Sequence, residues 1–254
     1  MSDARSAYDR LAPIYDDFNA ANDYEMWFGV LLPELEKHGL GKPGRLLDVG
    51  CGTGRAFPPM LRRGWEIQGC DLSPGMLEEA RSKFGDGVPL AVADLRELPT
   101  FGEFELVWAL NDVVNYLTED GDLKRALTAM GANLAPGGLM LFDTNTLGLF
   151  DSHFGDDGDG ENEMSVGEWH WRGISTAIEP GGAFEAQISG NGVETHEHRQ
   201  RHHPVERVRD AIAAAGLVHL TSLGQREADG KILLADPPDE RRDHKIVHIA
   251  RAAA

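Results

Sequence analysis

The clearest chemical signal in this chain lies in nine consecutive residues. They are an apolar strand that contains an acid and leads into three alternate glycines: Leu46-Leu47-Asp48-Val49-Gly50-Cys51-Gly52-Thr53-Gly54. Main-chain N–H groups in such a turn approach a ligand without an intervening Cβ, and the turn then leads to a helix N-terminus. The pattern predicts a nucleotide-like ligand held against bare backbone.

Two charged residues narrow the choice of ligand. A dinucleotide-binding turn needs a third glycine at the position that Arg55 occupies, so a bound pyrophosphate is disfavoured. Asp48, two residues before Gly50, would repel a diphosphate and attract an ammonium group. The loop therefore favours a ligand with an amino-acid end.

Polar residues also follow the next three predicted strands. Asp71 stands where an acid accepts both hydroxyls of a ribose, Asp94 stands where an acid accepts a purine amino group, and Asn111 and Asp112 follow the fourth strand. Successive parallel strands that end in polar groups build a crevice at the carboxyl edge of the sheet. We expect the ligand there.

Apolar runs alternate with helical stretches over most of the chain, which predicts a parallel sheet covered by helices on both faces. Residues 1–40 are predicted to be helical, with a second helix from Tyr24 to His38. The remaining elements are predicted as strand 45–49, helix 55–63, strand 65–70, helix 74–83, strands 88–92 and 104–110, helix 120–135, strand 138–143, helix 204–215, and strands 217–223 and 245–250.

An insertion interrupts this order. Asp151 to Glu163 is rich in acids and glycine and is expected to be an exposed, mobile loop. Residues 168–172 and 183–188 alternate at strand period and predict a hairpin, which the run 193–203 extends to a small antiparallel sheet.

Side chains on this small sheet are candidates for contact with a substrate. His196, His198 and His202 share one face of the third strand. Three imidazoles are potential metal ligands, but an exposed polar strand explains them, and no metal is predicted. Trp169 and Trp171 also share a face, which either lines a pocket or packs against the main sheet.

Charge and cysteine content exclude several classes of partner. Lys and Arg number 24 against 42 Asp and Glu, for a formal charge of −18, which disfavours nucleic acids and anionic membranes. The substrate is expected to be small and neutral or cationic. Cys51 and Cys70 are expected to be buried thiols, and without a recognisable leader or membrane-spanning run the expected location is the cytoplasm.

With these residues, the chain resembles the class I S-adenosylmethionine-dependent methyltransferases from about Arg45 to Phe142, and again at 217–223 and 245–250. The resemblance implies a doubly wound, Rossmann-like α/β fold with a seven-stranded, mostly parallel sheet and an antiparallel last strand. It implies one domain over 1–254: an N-terminal helical lid (1–40), a cofactor-binding core (41–145 and 204–254) and an inserted substrate cap (146–203). The cofactor-binding residues that it implies are Tyr15, Trp27, Asp48, Gly50, Cys51, Gly52, Gly54, Asp71, Leu72, Met76, Asp94, Leu95, Leu110 and Asn111.

Two further segments are similar to a subgroup that methylates small molecules, including amino-sugar N-methyltransferases of antibiotic pathways. They are Tyr8-Asp9-x-x-Ala12-x-x-Tyr15-Asp16 and Asn115-Tyr116-Leu117. The similarity implies a lid whose tyrosines contact the cofactor, although the same aromatics also suit the core of an amphipathic helix. Tyr116 stands where the subgroup has a catalytic histidine, and a tyrosine with a pKa of about 10 is a poor base, so it is expected to orient the substrate.

The expected function is methyl transfer from S-adenosylmethionine to an N or O atom of a small molecule, with S-adenosylhomocysteine as the product. Tyr116 and Asp112 are the catalytic candidates, and Tyr8, Tyr116, Trp169, Trp171 and His198 are the substrate candidates. A non-catalytic S-adenosylmethionine-binding module is one alternative. An aminopropyl transferase is another, disfavoured because Asp48 and the glycine loop suit an intact amino-acid end. No nucleic acid or membrane partner is expected, and a homodimer is left open.

Overall fold

A computed structural model describes residues 2–20, 22–156, 163–166, 168–190 and 193–253. The N-terminal segment contains α1 (Ser2–Leu11), a 3₁₀ turn (Ala12–Ile14), α2 (Tyr15–Phe18) and α3 (Tyr24–Lys37). Proline at the start of the turn ends α1, since proline lacks the N–H that would continue the helix. Asp23 caps α3 by accepting a hydrogen bond of 3.0 Å from the Met26 amide.

Within the residues that the structure describes, the main sheet has eight strands. In chain order they are β1 (Arg45–Val49), β2 (Glu66–Asp71), β3 (Leu90–Val92), β4 (Phe104–Ala109), β5 (Leu134–Asn145), and, after the cap, the last three strands, which lie at Leu217–Ala228, Lys231–Ala235 and Lys245–Ala252. The pairings β3–β2–β1–β4–β5 are all parallel, and the strand Lys245–Ala252 lies antiparallel between β5 and Leu217–Ala228. The predicted fold class is confirmed, with one strand more than the seven predicted.

Apolar clusters cover both faces of this sheet. Leu46 and Leu47 are adjacent on β1 and both fully buried, yet they belong to two different clusters. Since successive strand residues point to opposite faces, the sheet is packed on both sides. The flanking helices are α4 (Phe57–Arg62), α5 (Pro74–Phe84) and α6 (Asp122–Gly131), with a further one at Val205–Ala214.

The cap follows β5. Helix α7 (Leu147–Phe154) leads into a four-stranded antiparallel sheet of β6 (Glu163–Val166), β7 (Trp169–Gly173), β8 (Ala183–Gly190) and β9 (Val193–Arg201). The prediction of a mobile loop over Asp151 to Glu163 is wrong at its start, because 151–154 complete α7 and Phe154 is buried. The middle of that segment lies outside the described residues.

With the cap strands labelled, the last elements are α8 (Val205–Ala214), β10 (Leu217–Ala228), β11 (Lys231–Ala235) and β12 (Lys245–Ala252). The predicted strand 217–223 is too short, because β10 continues to Ala228 and forms a hairpin with β11, a strand that was not predicted. The turn residues of this hairpin, Asp229 and Gly230, both have positive φ, at 51° and 67°. Asp-Gly is the sequence signal for such a turn, and it was present in the chain. Among the described residues, no helix is long and apolar enough to cross a membrane.

Candidate functional site

One cavity of about 810 Å³ lies beyond the carboxyl ends of β1, β2, β3 and β4. It is the crevice that the polar strand ends predicted. Thirteen of the predicted site residues line it: Tyr8, Tyr15, Gly50, Cys51, Gly52, Asp71, Leu72, Met76, Asp94, Leu95, Leu110, Asn111 and Tyr116.

The glycine loop presents backbone to this cavity. Gly50 and Gly52 have φ of +73° and +53°, backbone angles that residues other than glycine rarely adopt. A Cβ on Gly50 would also lie 2.6 Å from Val113. The amides of Gly50 and Cys51 donate to the Cys70 carbonyl at 2.8 and 3.0 Å, so the turn is fixed to the end of β2. Both cysteines are free and buried, as predicted.

Asp71 ties the glycine loop to β2 and faces the cavity. One carboxylate oxygen accepts from the Gly52 amide and the other accepts from the Ser73 amide, both at 2.8 Å. Burial raises the pKa of Asp71, and the two amides oppose that rise. A carboxylate has about four acceptor sites, so Asp71 retains capacity for hydroxyl donors from a ligand.

Asp94 caps the 3₁₀ turn Leu95–Glu97 and pairs with Arg96. The Arg96 side chain donates to both carboxylate oxygens, at 2.9 and 2.6 Å, and its backbone amide donates at 2.9 Å. Burial pushes the pKa of Asp94 upwards, but the hydrogen bonds and charge of Arg96 outweigh it, so the pKa lies below its usual value. The carboxylate remains ionised at the cavity wall, with much of its acceptor capacity already used.

The N-terminal segment closes one side of the cavity, and two of its acids, Asp9 and Asp16, attach it to the core. Asp9 accepts from the Ser73 hydroxyl at 2.6 Å and from the Gly75 amide at 2.9 Å. Asp16 accepts from the Thr53 hydroxyl at 2.5 Å and from Lys83 at 2.6 Å. We call these contacts the lid latch. The sequence signal was the acid that directly follows each lid tyrosine.

Arg55 supplies a third attachment. Its guanidinium donates to the carbonyls of Asp16 and Asn22, both at 3.1 Å. The residue that replaces a dinucleotide glycine therefore holds the lid onto the glycine loop.

Three side chains form a hydrogen-bonded chain at the inner wall of the cavity. The Tyr116 hydroxyl lies 2.8 Å from the Tyr8 hydroxyl and 2.8 Å from His198 Nδ1. Burial raises the pKa of both tyrosines and lowers the pKa of His198 to about 3. All three groups are therefore neutral near pH 7, and Tyr116 keeps its hydroxyl hydrogen.

A buried ion pair supports the loop after β4. Asn111 and Asp112 both have positive φ, at 67° and 60°, and their amides donate to the Asp143 carboxylate at 2.6 and 3.0 Å. Lys245 pairs with Asp143 at 2.9 Å and with Asp112 at 3.4 Å. Sequence reasoning missed Asp143 and Lys245, which lie far apart along the chain and pair across β5 and β12. The strained backbone conformations persist because this pair holds them.

Seven predicted site residues do not line the cavity: Trp27, Asp48, Gly54, Asp112, Trp169, Trp171 and His198. Asp48 is 3% exposed, and burial raises its pKa to about 7, so it offers no ready carboxylate to an ammonium group. Trp27 is buried and donates to Gln225. Gly54 serves packing, since a Cβ there would lie 2.8 Å from the rings of Phe57 and Phe84.

The other four lie behind the cavity wall. Asp112 is engaged by Gln200 and Lys245. Trp169 belongs to an apolar cluster with the lid residue Leu11, and Trp171 donates to the His153 carbonyl at 2.6 Å, so the first joins the cap to the lid and the second joins β7 to α7 within the cap.

His196 and His198 share one face of β9, as predicted, and His202 directly follows the strand, but all three side chains are buried. His196, His198 and His202 are 9%, 2% and 1% exposed, so the interpretation as an exposed polar strand is wrong. His202 lies 3.0 Å from Glu240. In the part of the chain that the structure describes, no group of three or more His, Cys, Asp or Glu is placed to hold a metal ion.

The outer end of the cavity has a polar rim that sequence reasoning missed. Its charged members come from the lid, the loop after Tyr116 and the outward face of β8 and β9: Arg10, Glu119, Glu185, Glu197 and Arg199. Arg199 and Glu185 pair at 3.6 Å. Strand alternation places Glu185, Glu197 and Arg199 on the face opposite His198, and only the tertiary structure shows that this face borders the cavity.

Comparison with known proteins gives a consistent result. Residues 46–138 match the family described as a methyltransferase domain. The chain is 31% identical over 142 residues to YqeM of Bacillus subtilis (strain 168), which its name assigns to the methyltransferases, across 55% of this chain and 56% of that protein. It is 29% identical to the dTDP-4-amino-2,3,4,6-tetradeoxy-D-glucose N,N-dimethyltransferase of Saccharopolyspora spinosa, across 52% and 53% of the two chains. The chain thus spans about half the length of these curated relatives.

Among solved structures, an S-adenosylmethionine-dependent methyltransferase from Clostridium acetobutylicum ATCC 824 has a TM-score of 0.74 at 23% identity, with coverage of 98% of this chain and 100% of that one. A methyltransferase from Streptomyces caelestis has a TM-score of 0.72 at 17% identity, with 96% coverage of both chains. At these identities the likeness shows the fold.

Proposed function

We propose that this chain, which carries a methyltransferase domain over residues 46–138, transfers a methyl group from S-adenosylmethionine to a nitrogen or oxygen atom of a small molecule. The observation that carries the proposal is the convergence on one cavity of the glycine loop, the two strand-end acids Asp71 and Asp94, and the lid tyrosines. Each piece alone is common. Together they supply a separate contact for each part of this cofactor.

The residues present fit the cofactor. Gly50 and Gly52 leave backbone bare where the amino-acid end would lie, and a side chain at Gly50 would collide with Val113. Asp71 has acceptor capacity for ribose hydroxyls, and the ionised Asp94 with the Leu95 backbone suits the adenine amino group. A volume of about 810 Å³ lies towards the upper end of the usual range for ligand sites, roughly 300–1,000 Å³, and leaves room for an acceptor.

When bound, S-adenosylmethionine supplies a methyl group on a cationic sulfur, which a lone pair of the acceptor attacks in line with the breaking carbon–sulfur bond. The lid tyrosines provide electron-rich faces that stabilise a cation, and the lid latch excludes water. Tyr116 is neutral and orients the acceptor. Asp112 lies behind the wall, where it accepts a hydrogen bond from Gln200, and does not touch the reacting atoms. Positioning supplies most of the rate.

For the acceptor, we propose a small polar molecule such as an amino sugar of secondary metabolism. The polar rim with Glu119, Glu185 and Glu197 suits hydroxyl and amino groups. Two curated relatives are named as N,N-dimethyltransferases of dTDP-linked amino sugars, which supports this class.

Calorimetry tests the cofactor. Titration with S-adenosylmethionine and with S-adenosylhomocysteine should show binding of both, and no binding of either at millimolar concentration would overturn the proposal. A labelled-methyl screen against amines, phenols and carboxylates then separates an enzyme from a binding module, since a module binds the cofactor and transfers nothing.

A further inference from the structure

The hydroxyl of Tyr116 has two side-chain neighbours within hydrogen-bonding distance. Tyr8 Oη and His198 Nδ1 each lie 2.8 Å from Tyr116 Oη. Tyr116 and Tyr8 line the cavity, whereas His198 is 2% exposed and stands behind them. The imidazole therefore reaches the cavity only through the tyrosine.

Proton counting sets the direction of these hydrogen bonds. Since both tyrosines and the imidazole are neutral, each carries one polar hydrogen. The Tyr8 hydroxyl donates its hydrogen to Tyr116 Oη. The neighbour that remains for the Tyr116 hydrogen is His198 Nδ1, and Tyr116 Oη keeps one lone pair for a donor in the cavity.

The surroundings of Nε2, the other imidazole nitrogen of His198, also indicate that Nδ1 is the acceptor. His198 Nε2 is buried and makes no hydrogen bond among the described residues. The ring lies among aromatic groups, with centroid distances of 5.4 Å to Tyr8 and 5.5 Å to Trp171. The electron-rich faces of aromatic rings accommodate an N–H better than a lone pair. Nε2 therefore carries the hydrogen, and Nδ1 accepts.

We propose that His198 is a positioning residue that holds the Tyr116 hydrogen away from the cavity, so that the acceptor subsite takes a nucleophile with its own N–H or O–H. A neutral amine donates its N–H to Tyr116 Oη and keeps its lone pair for the methyl group. A carboxylate or phenolate has no hydrogen to donate, so its oxygen would face the lone pair of Tyr116 Oη and be repelled. The choice of acceptor rests on the proposed methyl transfer, but the direction of the hydrogen bonds does not.

The hydrogen-bond direction is measured by NMR of the protein labelled with ¹⁵N-histidine, in the presence of S-adenosylhomocysteine. Loss of signals in His198→Asn assigns His198 among the ten histidines. We expect a neutral imidazole protonated at Nε2, with an Nδ1 shift that moves when Tyr116→Phe removes its donor. A hydrogen on Nδ1, or a doubly protonated ring, would overturn the proposal.

The consequence for the acceptor is measured with radiolabelled methyl groups on matched amines, alcohols and carboxylates. We expect an amine or alcohol to be methylated, and His198→Leu to lower kcat about three- to tenfold, the worth of one neutral hydrogen bond. His198→Asn, which keeps an acceptor near the Nδ1 position, should restore most of that loss. In a Tyr116→Phe background, His198→Leu should have no further effect.

A buried histidine elsewhere controls for general damage. His248 is fully buried, its pKa is also lowered to about 3, and it does not line the cavity. His248→Leu should lower thermal stability and leave the preference among acceptors unchanged. Preferential methylation of carboxylates, or an equal loss from His198→Leu with and without Tyr116, would overturn the proposal. Failure to bind the cofactor would instead refute the proposed function, and the NMR result would still decide the direction of the hydrogen bonds.

Discussion

Replacement of Asp9 by alanine gives the sharpest test of the lid. The carboxylate accepts two hydrogen bonds that join α1 to the start of α5, from the Ser73 hydroxyl and the Gly75 amide. A hydrogen bond to a charged group is worth about 1.5–3 kcal/mol. Because the Asp9 side chain is 37% exposed, the lower value applies, and allowing for non-additivity the pair is worth about 2 kcal/mol. That energy corresponds to a roughly thirtyfold change in the ratio of closed to open lid.

Hydrogen–deuterium exchange measures this ratio directly, since amides in α1 exchange when the lid opens. We expect α1 to exchange roughly thirtyfold faster in Asp9→Ala, with Asp9→Asn intermediate because it keeps a neutral acceptor. The affinity for S-adenosylhomocysteine should fall by less than this factor, because apparent affinity follows the fraction of closed lid.

Asp17→Ala is the matched control, because Asp17 is an exposed lid acid that makes no side-chain hydrogen bond or ion pair within the described residues. Unchanged exchange of α1 in Asp9→Ala, or equal acceleration in Asp17→Ala, would refute the lid latch. Faster exchange in β4 as well would show global destabilisation in place of lid opening.

Three further predictions concern single side chains. Asp71→Ala should weaken binding of S-adenosylmethionine by about 1–3 kcal/mol in calorimetry, because ribose acceptors are lost; unchanged affinity would remove Asp71 from the site. Burial raises the folded-state pKa of Asp48 to about 7. Between the unfolded-state pKa of about 4 and pH 7, the folded protein therefore keeps a proton that the unfolded chain has released. Asp48 consequently lowers the free energy of unfolding by an amount that increases as the pH rises from about 4 to 7. Urea unfolding should therefore show that Asp48→Asn is more stable than wild type, by a margin that grows over this pH range towards an upper limit of about 4 kcal/mol. A margin that shrinks as the pH rises would indicate a cation beside Asp48. Lys245→Met leaves the Asp143 carboxylate without its cation and should lower the free energy of unfolding by about 3–5 kcal/mol, with most of it restored in Lys245→Met/Asp143→Asn; no restoration would contradict the ion-pair explanation.

Local sequence was sufficient for the framework. Seven of the eight strands of the main sheet and the helices between them were predictable because apolar period, caps and glycine turns act over a few residues, as with the Ser73 cap that opens α5. The cavity was also predictable, since residues at the carboxyl ends of parallel strands meet at one edge. Asp71, Asp94 and Asn111 follow strands and all line it.

The tertiary structure decided which of these polar groups reach the ligand. Asp48 lies within β1, where side chains stand perpendicular to the sheet, so it points into the packed layer and not over the strand end. The sequence likewise contained Asp9, Asp143, His198 and Lys245 without showing their partners. Each partner lies far along the chain, and only packing of the lid, the cap and β12 around the strand ends brings them together. Sequence alone determined the sheet and its crevice, because both follow from local periodicity; the fastening of the lid and the hydrogen-bond direction at Tyr116 depended on long-range contacts that no local pattern encodes.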